Sequence, residues 1–325
     1  MNFNTPILFV VFKRPDTTLR VFEEIRKIKP KKLYIAADGC RSHIIGEEES
    51  CLEVRKMVSN IDWDCDVKFL FRDENLGSAL NVTKAINWVF EFEEKCIILE
   101  DDTLPNDCFW YFMEEMLERY KNETSIMQIN GLSPYKNIEN YNYSYTFSKC
   151  LYHCWGWGTW KRSWDKLDFS MSKYESFMNS GGMKVIIKER ILRYLYTRNF
   201  LKHKFYLPKS WDGRWVLSCL VKSGLAIVPT INMVINLGLN HQYASHTTEG
   251  EHSFEKLKLQ NMVFPIKHPD YIYVDPKLES NGLYSFFNIS VSKILKVLIK
   301  KPSNELSAAF SYLKNNAFRK KSNLL

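Results

Sequence analysis

The sequence lacks long apolar runs, a secretion signal and a paired cysteine pattern. No window reaches the roughly 18 continuous apolar residues of a membrane-spanning helix, so we expect none. The first residues show no basic segment followed by a long apolar core, so we expect no signal peptide. The 8 cysteines are scattered over 325 residues without finger-like spacing, which favours reduced thiols over disulfides or a zinc site. These absences favour a cytoplasmic protein.

Internal repeats and a recognisable nucleic-acid-binding module are also missing. We therefore expect no nucleic-acid partner, although the net charge is +8. The positive excess lies towards the C-terminus and fits anionic partners such as nucleotide diphosphates or a membrane surface. Apolar residues make up 45% of the chain and aromatic residues 14%, which is typical of a folded protein with a ring-lined cleft.

Short apolar runs alternate with helical patterns over the first 130 residues. Runs of this kind are typical of strands that are buried on both faces. The predicted strands cover 7–12, 31–37, 67–71 and 96–99, and the predicted helices run to about 28, over 46–59, from 75 to 92 and over 107–120. Either Asp16 or Thr17 is expected to cap the first helix. This order predicts an α/β, Rossmann-like fold with a mainly parallel sheet flanked by helices.

The pattern changes after about residue 130. Residues 134–149 indicate an irregular segment or a hairpin, and a basic helix is expected at 184–200. An apolar helix follows Trp211 and extends to about 223, and two short strands follow at 226–229 and 233–236. From about residue 283, apolar residues alternate with lysines in the pattern of a basic amphipathic helix.

The apolar run at 96–99 ends in three consecutive carboxylates, Glu100, Asp101 and Asp102. Adjacent carboxylates repel one another, so their clustering is costly unless a cation neutralises them. Oxygen ligands suit hard divalent metals such as Mg²⁺ or Mn²⁺, which also bind phosphates. The pattern therefore predicts a metal site, and the alternative is a strand that runs into a solvated acidic loop.

Polar residues follow the other three predicted strands as well. The carboxyl ends of parallel strands share one edge of the sheet, where α/β folds bind ligands. The residues that this argument brings beside the triplet, as contacts to a nucleotide, are Arg14, Asp38, Gly39, Arg72 and Asn75. An arginine can pair with a phosphate, an aspartate can accept hydrogen bonds from a base or ribose, and the N-terminus of a helix favours anions.

The residues at 99–102, followed by Pro105 and the aromatic helix from Phe109 to Phe112, resemble nucleotide-sugar glycosyltransferases of the GT-A fold. The closer resemblance is to N-acetylglucosaminyltransferase I and its bacterial relatives. It spans roughly residues 5–225 in family order and includes the segments Gly156-Trp157-Gly158 and Trp211-Asp212. It implies that the Glu-Asp-Asp stretch binds Mn²⁺ or Mg²⁺ together with a UDP-sugar, and that Asp102 and Asp101 are the metal ligands.

The resemblance also implies an inverting transfer in which Asp212 is the catalytic base. The alternative is that Asp212 caps the helix that follows it. Acceptor contacts are expected from Trp157, Gly158, Trp211 and Arg214. As in some GT-A enzymes, a late histidine, His246, would add a metal or diphosphate contact, against the alternative of a structural histidine. The loop at 72–77 and the acceptor half diverge from the family, so donor sugar and acceptor stay open.

The resemblance divides the chain into a nucleotide-sugar-binding half (1–130), an acceptor-binding half (131–250) and a C-terminal extension (251–325). The acceptor is expected to be a glycan or a lipid-linked glycan. The basic tail either contacts an anionic membrane at its inner face or packs on the catalytic core. Two competing functions are a sugar nucleotidyltransferase, for which the glycine-rich phosphate loop is missing after the first strand, and a non-catalytic carbohydrate-binding protein that uses the tryptophans.

Overall fold

The computed structural model describes residues 3–135, 138, 141–149, 154–201, 204, 210–239 and 257–289. The described strands are β1 (Ile7–Val11), β2 (Lys32–Ala37), β3 (Asp66–Phe71), β4 (Lys95–Glu100), β5 (Thr103–Pro105), β6 (Ile126–Asn130), β7 (Tyr145–Ser148), β8 (Trp157–Trp160), β9 (Leu225–Pro229) and β10 (Val234–Asn236). The described helices are α1 (Pro15–Ile28), α2 (Glu47–Val58), α3 (Ser78–Val89), α4 (Asp107–Arg119), α5 (Lys161–Trp164), α6 (Tyr174–Asn179), α7 (Gly182–Ile186), α8 (Arg190–Leu201), α9 (Asp212–Val221) and α10 (Pro276–Phe286).

Eight of these strands form one sheet in the order β3-β2-β1-β4-β8-β6-β9-β7. The strands β3, β2, β1 and β4 are parallel neighbours, and β6 pairs in parallel with β9. Strand β8 runs antiparallel to both β4 and β6, and β7 runs antiparallel to β9. Six strands therefore point one way and two the other, which confirms the predicted α/β fold with a mainly parallel sheet. The sheet contains strands from both sides of residue 130, where the sequence pattern changes.

Each face of the sheet is covered by its own apolar core. Alternate residues of β1 point to opposite faces, so Leu8 and Val10 belong to one core and Ile7, Phe9 and Val11 to the other. The first core lies under α3, α8 and α9, and the second under α1 and α4. The strands β1, β2 and β4 are buried on both faces, which explains why they appear in the sequence as continuous apolar runs, whereas the edge strand β3 has no fully buried residue.

The structure corrects several predictions about individual elements. Arg14, not Asp16 or Thr17, occupies the N-cap of α1, and no side chain caps that helix, which begins with a proline. The basic helix expected at 184–200 is two helices, α7 and α8. The Gly-Trp-Gly region, which has no strand-like alternation, enters strand β8. The predicted amphipathic helix lies outside the described residues from 290 onwards.

A second, two-stranded sheet joins distant parts of the chain. Strand β5 directly follows the acidic triplet and pairs antiparallel with β10, so that Thr103 faces Asn236. This pairing brings the residues after β10 to the carboxyl edge of the large sheet. Among the helices of the described ranges, none combines the length and the apolarity needed to cross a membrane. The described cysteines form no disulfide.

Candidate functional site

The acidic triplet lies at the carboxyl end of β4, and Arg14 neutralises part of its charge. The Arg14 guanidinium forms two ion pairs, from Nη2 to Asp101 Oδ1 and from Nη1 to Asp102 Oδ2, both of 2.7 Å. The backbone N–H of Phe12 donates to Asp101 Oδ2 over 3.2 Å. The ends of β1 and β4 are therefore joined through side chains, as expected for neighbouring parallel strands.

Burial controls the protonation of these groups. Burial, and then the neighbouring Asp102 and Asp101 carboxylates, raise the pKa of Glu100 to about 8. Burial also raises the pKa of Asp101 to about 6, although Arg14 acts in the opposite direction. Burial alone would lower the pKa of Arg14, but the Asp101 and Asp102 carboxylates raise it above its usual value. Without another cation, the site therefore favours protonated Glu100 near neutral pH.

The segment after β10 covers the ion pairs. The backbone N–H of Leu237 donates to the Asp102 carbonyl oxygen over 2.7 Å. A Cβ atom at Gly238 would lie 2.2 Å from Asp102 Oδ2 and 2.6 Å from Arg14 Nη1. Any larger residue at this position would have to displace the ends of these two paired side chains. Sequence reasoning missed Gly238, because nothing in the local pattern links it to the triplet.

Asp38 holds the loop that precedes α3. Its carboxylate accepts the backbone N–H groups of Leu76 and Gly77, both over 2.9 Å, and that of Gly39 over 3.1 Å. Burial raises the pKa of Asp38, and these hydrogen bonds act in the opposite direction. Asp38 thus organises two strand-end loops in this structure, and its predicted contact to a base or ribose stays a prediction.

The remaining predicted nucleotide contacts lie in the same loops. Asn75 Nδ2 donates to the Gly39 carbonyl oxygen over 2.7 Å, and Arg72 Nε donates to Asn81 Oδ1 over 3.0 Å. A Cβ atom at Gly39 would meet the Glu74 backbone at 2.3 Å, so the two loops are in direct contact. The structure therefore brings Arg72, Asn75 and Gly39 together beside Asp38.

A buried glutamate adds a cluster that sequence reasoning missed. Glu47, the first residue of α2, binds Lys13 Nζ over 2.6 Å and Arg41 Nε over 2.8 Å. Burial would raise the pKa of Glu47, but the hydrogen bonds from Arg41 and Lys13 lower it to about 2. Both cations also lie against the Phe12 ring. The only local signal was a run of glutamates at the start of a predicted helix.

Asp212 lies close enough to the triplet to influence it electrostatically. It is the first residue of α9, whose N-cap is Trp211, so the alternative role of Asp212 as a helix cap is wrong. Ser210 Oγ donates a hydrogen bond to Asp212 Oδ1. The charge of Asp212 contributes to the raised pKa values of Glu100 and of the buried Cys154 thiol. The predicted base therefore lies within electrostatic range of the acidic triplet.

Four tryptophans pack together behind Asp212. The rings of Trp157 and Trp211 stack with centroids 5.5 Å apart, and Trp164 and Trp215 are 5.1 Å apart. All four side chains are buried, so in this structure none offers a ring face to a sugar. The expected acceptor contacts of Trp157 and Trp211 stay predictions, and the observed role of both rings is in the core.

The other predicted acceptor residues are also enclosed. A Cβ atom at Gly158 would lie 3.3 Å from the Leu117 side chain, which belongs to the opposite core. Arg214 is buried and donates from Nε to the Ser210 carbonyl oxygen over 3.2 Å. Burial lowers the pKa of Arg214. Arg214 thus supports the segment that carries Asp212. His246 lies outside the described residues.

Comparisons with known proteins do not assign this chain to a family. No family model matches the sequence, and no curated protein matches it either. Among solved structures, the chain is similar to the glycosyltransferase GlyE of Streptococcus pneumoniae TIGR4, with 10% identity and a TM-score of 0.28. The match covers 53% of this chain and 40% of that one, so it spans less than half of the neighbour. Similarity at this level does not assign the chain to a family.

Proposed function

We propose that the protein is a metal-dependent inverting glycosyltransferase. It transfers a sugar from a UDP-sugar to a hydroxyl group of a glycan or lipid-linked glycan, as in the synthesis of surface polysaccharides. The sugar that we propose is N-acetylglucosamine. The observation that carries the proposal is the position of Asp212. Its charge acts on Glu100, which belongs to the triplet that Arg14 pairs with at the carboxyl edge of the sheet.

The residues present fit a divalent cation that is shared with a diphosphate. The described residues contain no group of three or more His, Cys, Asp or Glu side chains arranged to hold a metal by themselves. Mg²⁺ commonly binds through one or two carboxylates, water and substrate phosphates, and Asp101 and Asp102 supply two carboxylates. Oxygen donors also suit Mn²⁺. When bound, such a cation would stabilise the negative charge of the departing diphosphate.

The chain's own residues then have distinct roles. The Asp212 carboxylate accepts the proton of the acceptor hydroxyl, whose oxygen forms a bond to the anomeric carbon of the sugar. The bond from that carbon to the diphosphate oxygen breaks, and UDP leaves with the electron pair. The hydrogen bond from Ser210 fixes the carboxylate of Asp212. Attack opposite the leaving group inverts the anomeric carbon.

The nucleotide contacts are assigned to the loops of the same edge. Arg14 pairs with the diphosphate, and the loops that Asp38 joins, with Gly39, Arg72 and Asn75, enclose the nucleoside. Helix α3 follows these loops directly, and its N-terminus favours an anion. We assign His246 a metal or diphosphate contact, and we assign the acceptor to the side of Trp157, Gly158, Trp211 and Arg214.

The C-terminal segment is assigned to the membrane on the basis of its charge. Residues 290–325 contain eight lysines and arginines against one glutamate, so they carry seven of the eight net positive charges of the chain. Such a segment is attracted to anionic lipids, where lipid-linked acceptors are located. Sedimentation with vesicles of phosphatidylglycerol, compared with phosphatidylcholine, tests this assignment. Equal binding to both would contradict it.

Two substitutions test the proposed transfer. Asp102→Ala is expected to abolish UDP binding that depends on Mn²⁺, because it removes a metal ligand. Asp212→Asn is expected to retain that binding and to lose transfer, measured as UDP released from a panel of UDP-sugars and glycan acceptors. Asp270→Asn, at a surface residue hydrogen-bonded by Tyr143, is the matched control. Normal transfer by Asp212→Asn would refute its role as base, and release of pyrophosphate would indicate nucleotidyl transfer.

A further inference from the structure

Arg14 holds the carboxylate oxygens that a divalent cation would need. One oxygen of Asp101 and one of Asp102 each accept from the guanidinium over 2.7 Å. The second oxygen of Asp101 accepts from the Phe12 backbone over 3.2 Å. The second oxygen of Asp102 has a weaker contact, to Thr103 Oγ1 over 3.4 Å. Arg14 therefore competes with a divalent cation for the two carboxylates.

The ion pairs are also enclosed, so Arg14 cannot leave them without a new partner. The side chains of Arg14, Asp101 and Asp102 are only 18%, 4% and 14% exposed. An enclosed charge that loses its partner is strongly destabilising. Gly238 leaves too little space for even one additional carbon atom beside Arg14 Nη1 and Asp102 Oδ2. A displaced guanidinium therefore requires another anion, and a diphosphate provides paired oxygens that match its geometry.

We propose that Arg14 is an exchange residue that couples the binding of a divalent cation to the binding of a nucleoside diphosphate. Asp101 and Asp102 exchange Arg14 for the cation, and Arg14 exchanges the two carboxylates for the diphosphate. This inference rests on the proposed function and adds the order of events at the same site. The cation alone would leave Arg14 without a counter-ion, and the diphosphate alone would leave the two carboxylates without one. Each ligand therefore binds weakly alone and strongly in the presence of the other.

Two reciprocal effects distinguish this exchange from a simple bridge between metal and phosphate. A bridge predicts only that each ligand improves the binding of the other. The exchange also predicts that removal of Arg14 strengthens the binding of the cation alone, because the carboxylates are released. Conversely, neutralisation of Asp102 strengthens the binding of the diphosphate without metal, because Arg14 is released.

Calorimetric titration of the full chain tests both effects. MnCl₂ alone, UDP alone in EDTA, and UDP with saturating MnCl₂ are titrated into the wild type, Arg14→Met, Arg14→Lys and Asp102→Asn. GDP and ADP replace UDP in parallel, so that the choice of base does not decide the outcome. Lys13→Met is the matched control, because it removes a neighbouring positive charge that pairs with Glu47 and leaves the triplet paired.

Arg14→Met is expected to bind Mn²⁺ alone about tenfold more tightly than the wild type, within the range of ordinary coupling energies. Asp102→Asn is expected to bind UDP in EDTA several-fold more tightly. Lys13→Met is expected to change neither by more than about twofold. If Arg14→Met does not fold, Arg14→Lys carries the test, because an ammonium cannot hold both carboxylates in the same bidentate way and a smaller gain is expected.

The outcomes separate this inference from the proposed function. If the wild type binds no nucleoside diphosphate with Mn²⁺, the proposed function fails and the inference fails with it. If the wild type binds UDP with Mn²⁺ but neither Arg14 variant binds Mn²⁺ more tightly, the exchange is refuted and the transferase proposal is unaffected. An equal gain in Lys13→Met would also refute it, because general electrostatics would then account for the effect.

Discussion

Glu100 gives the stability of the metal-free protein a characteristic pH dependence. Its pKa is raised from the usual 4.5 to about 8 in the folded chain, first by burial and then by Asp102 and Asp101. Between these two values the folded chain retains a proton on Glu100 that the unfolded chain has lost. The free energy of unfolding must therefore fall as pH rises, by about 1.4 kcal/mol per pH unit from this group.

The substitution Glu100→Gln removes this dependence, because the amide is neutral at every pH and similar in shape. Relative to the wild type, the variant is expected to gain about 3 kcal/mol of stability between pH 5 and pH 8. Urea unfolding in EDTA at pH 5, 6, 7 and 8 measures the difference. EDTA is required because a bound cation would favour the ionised carboxylate.

Glu118→Gln provides the matched control on α4. Hydrogen bonds from Lys121 and Lys95 lower the pKa of the exposed Glu118 to about 2, so this group is ionised in both states above pH 5. Its effect on stability is expected to be constant between pH 5 and pH 8. The reasoning about Glu100 is refuted if its variant shows the same flat difference, or if the variant is the less stable protein at pH 8.

Three further predictions concern residues around the site. Trp157→Phe is expected to cost about 2 kcal/mol less stability than Trp164→Phe, measured by urea unfolding. The reason is that Trp157 Nε1 is buried without a hydrogen-bond partner among the residues that the structure describes, whereas Trp164 Nε1 donates to Asn87 over 2.7 Å; an equal cost contradicts this account. Gly238→Ala is expected to weaken Mn²⁺-dependent UDP binding at least tenfold, because the added methyl group would press on Asp102 and Arg14. An unchanged affinity in calorimetry would show that the segment around residue 238 can shift to make room for it. Glu47→Gln is expected to lower stability at pH 7 by about 1–3 kcal/mol, a difference that shrinks as pH falls from 4.5 towards 2, because the pKa of Glu47 is depressed. A deficit that persists at pH 2 in thermal unfolding would argue against the ionic origin.

Three of the first four strands, β1, β2 and β4, could be predicted because they are buried on both faces. Such strands appear as continuous apolar runs, and the helices between them have their own period. Strand β8 could not be predicted in this way, because it is four residues long, contains glycine, and pairs with β4 and β6 from a distant part of the chain. Lateral order in a sheet depends on tertiary packing, and the local sequence does not encode it.

The candidate site also has some features that the sequence predicts and others that depend on tertiary packing. The meeting of Arg14 with the triplet could be predicted, because both follow parallel strands and parallel strands share an edge. The hydrogen bonds that Asp38 accepts could not be predicted, because its partners are backbone N–H groups, which every sequence provides. Burial of Trp157 and Trp211 depended on four rings from two separate segments, 157–164 and 211–215. The predicted acceptor role of these aromatic residues stays a prediction, and their packing in the core became clear only in the structure.

The pairing of β5 with β10 imposes an order in time on the site. During synthesis the triplet leaves the ribosome well before Gly238, which covers it. At typical translation rates of about 5–20 residues per second, the delay is on the order of ten seconds. For that interval the growing chain carries the carboxylates and Arg14 without their cover. A nascent chain stalled before residue 238 should therefore contain every predicted strand-end nucleotide contact and still lack the enclosed site. Nucleotide capture by chains stalled at different lengths would show whether binding begins once Gly238 has covered the triplet.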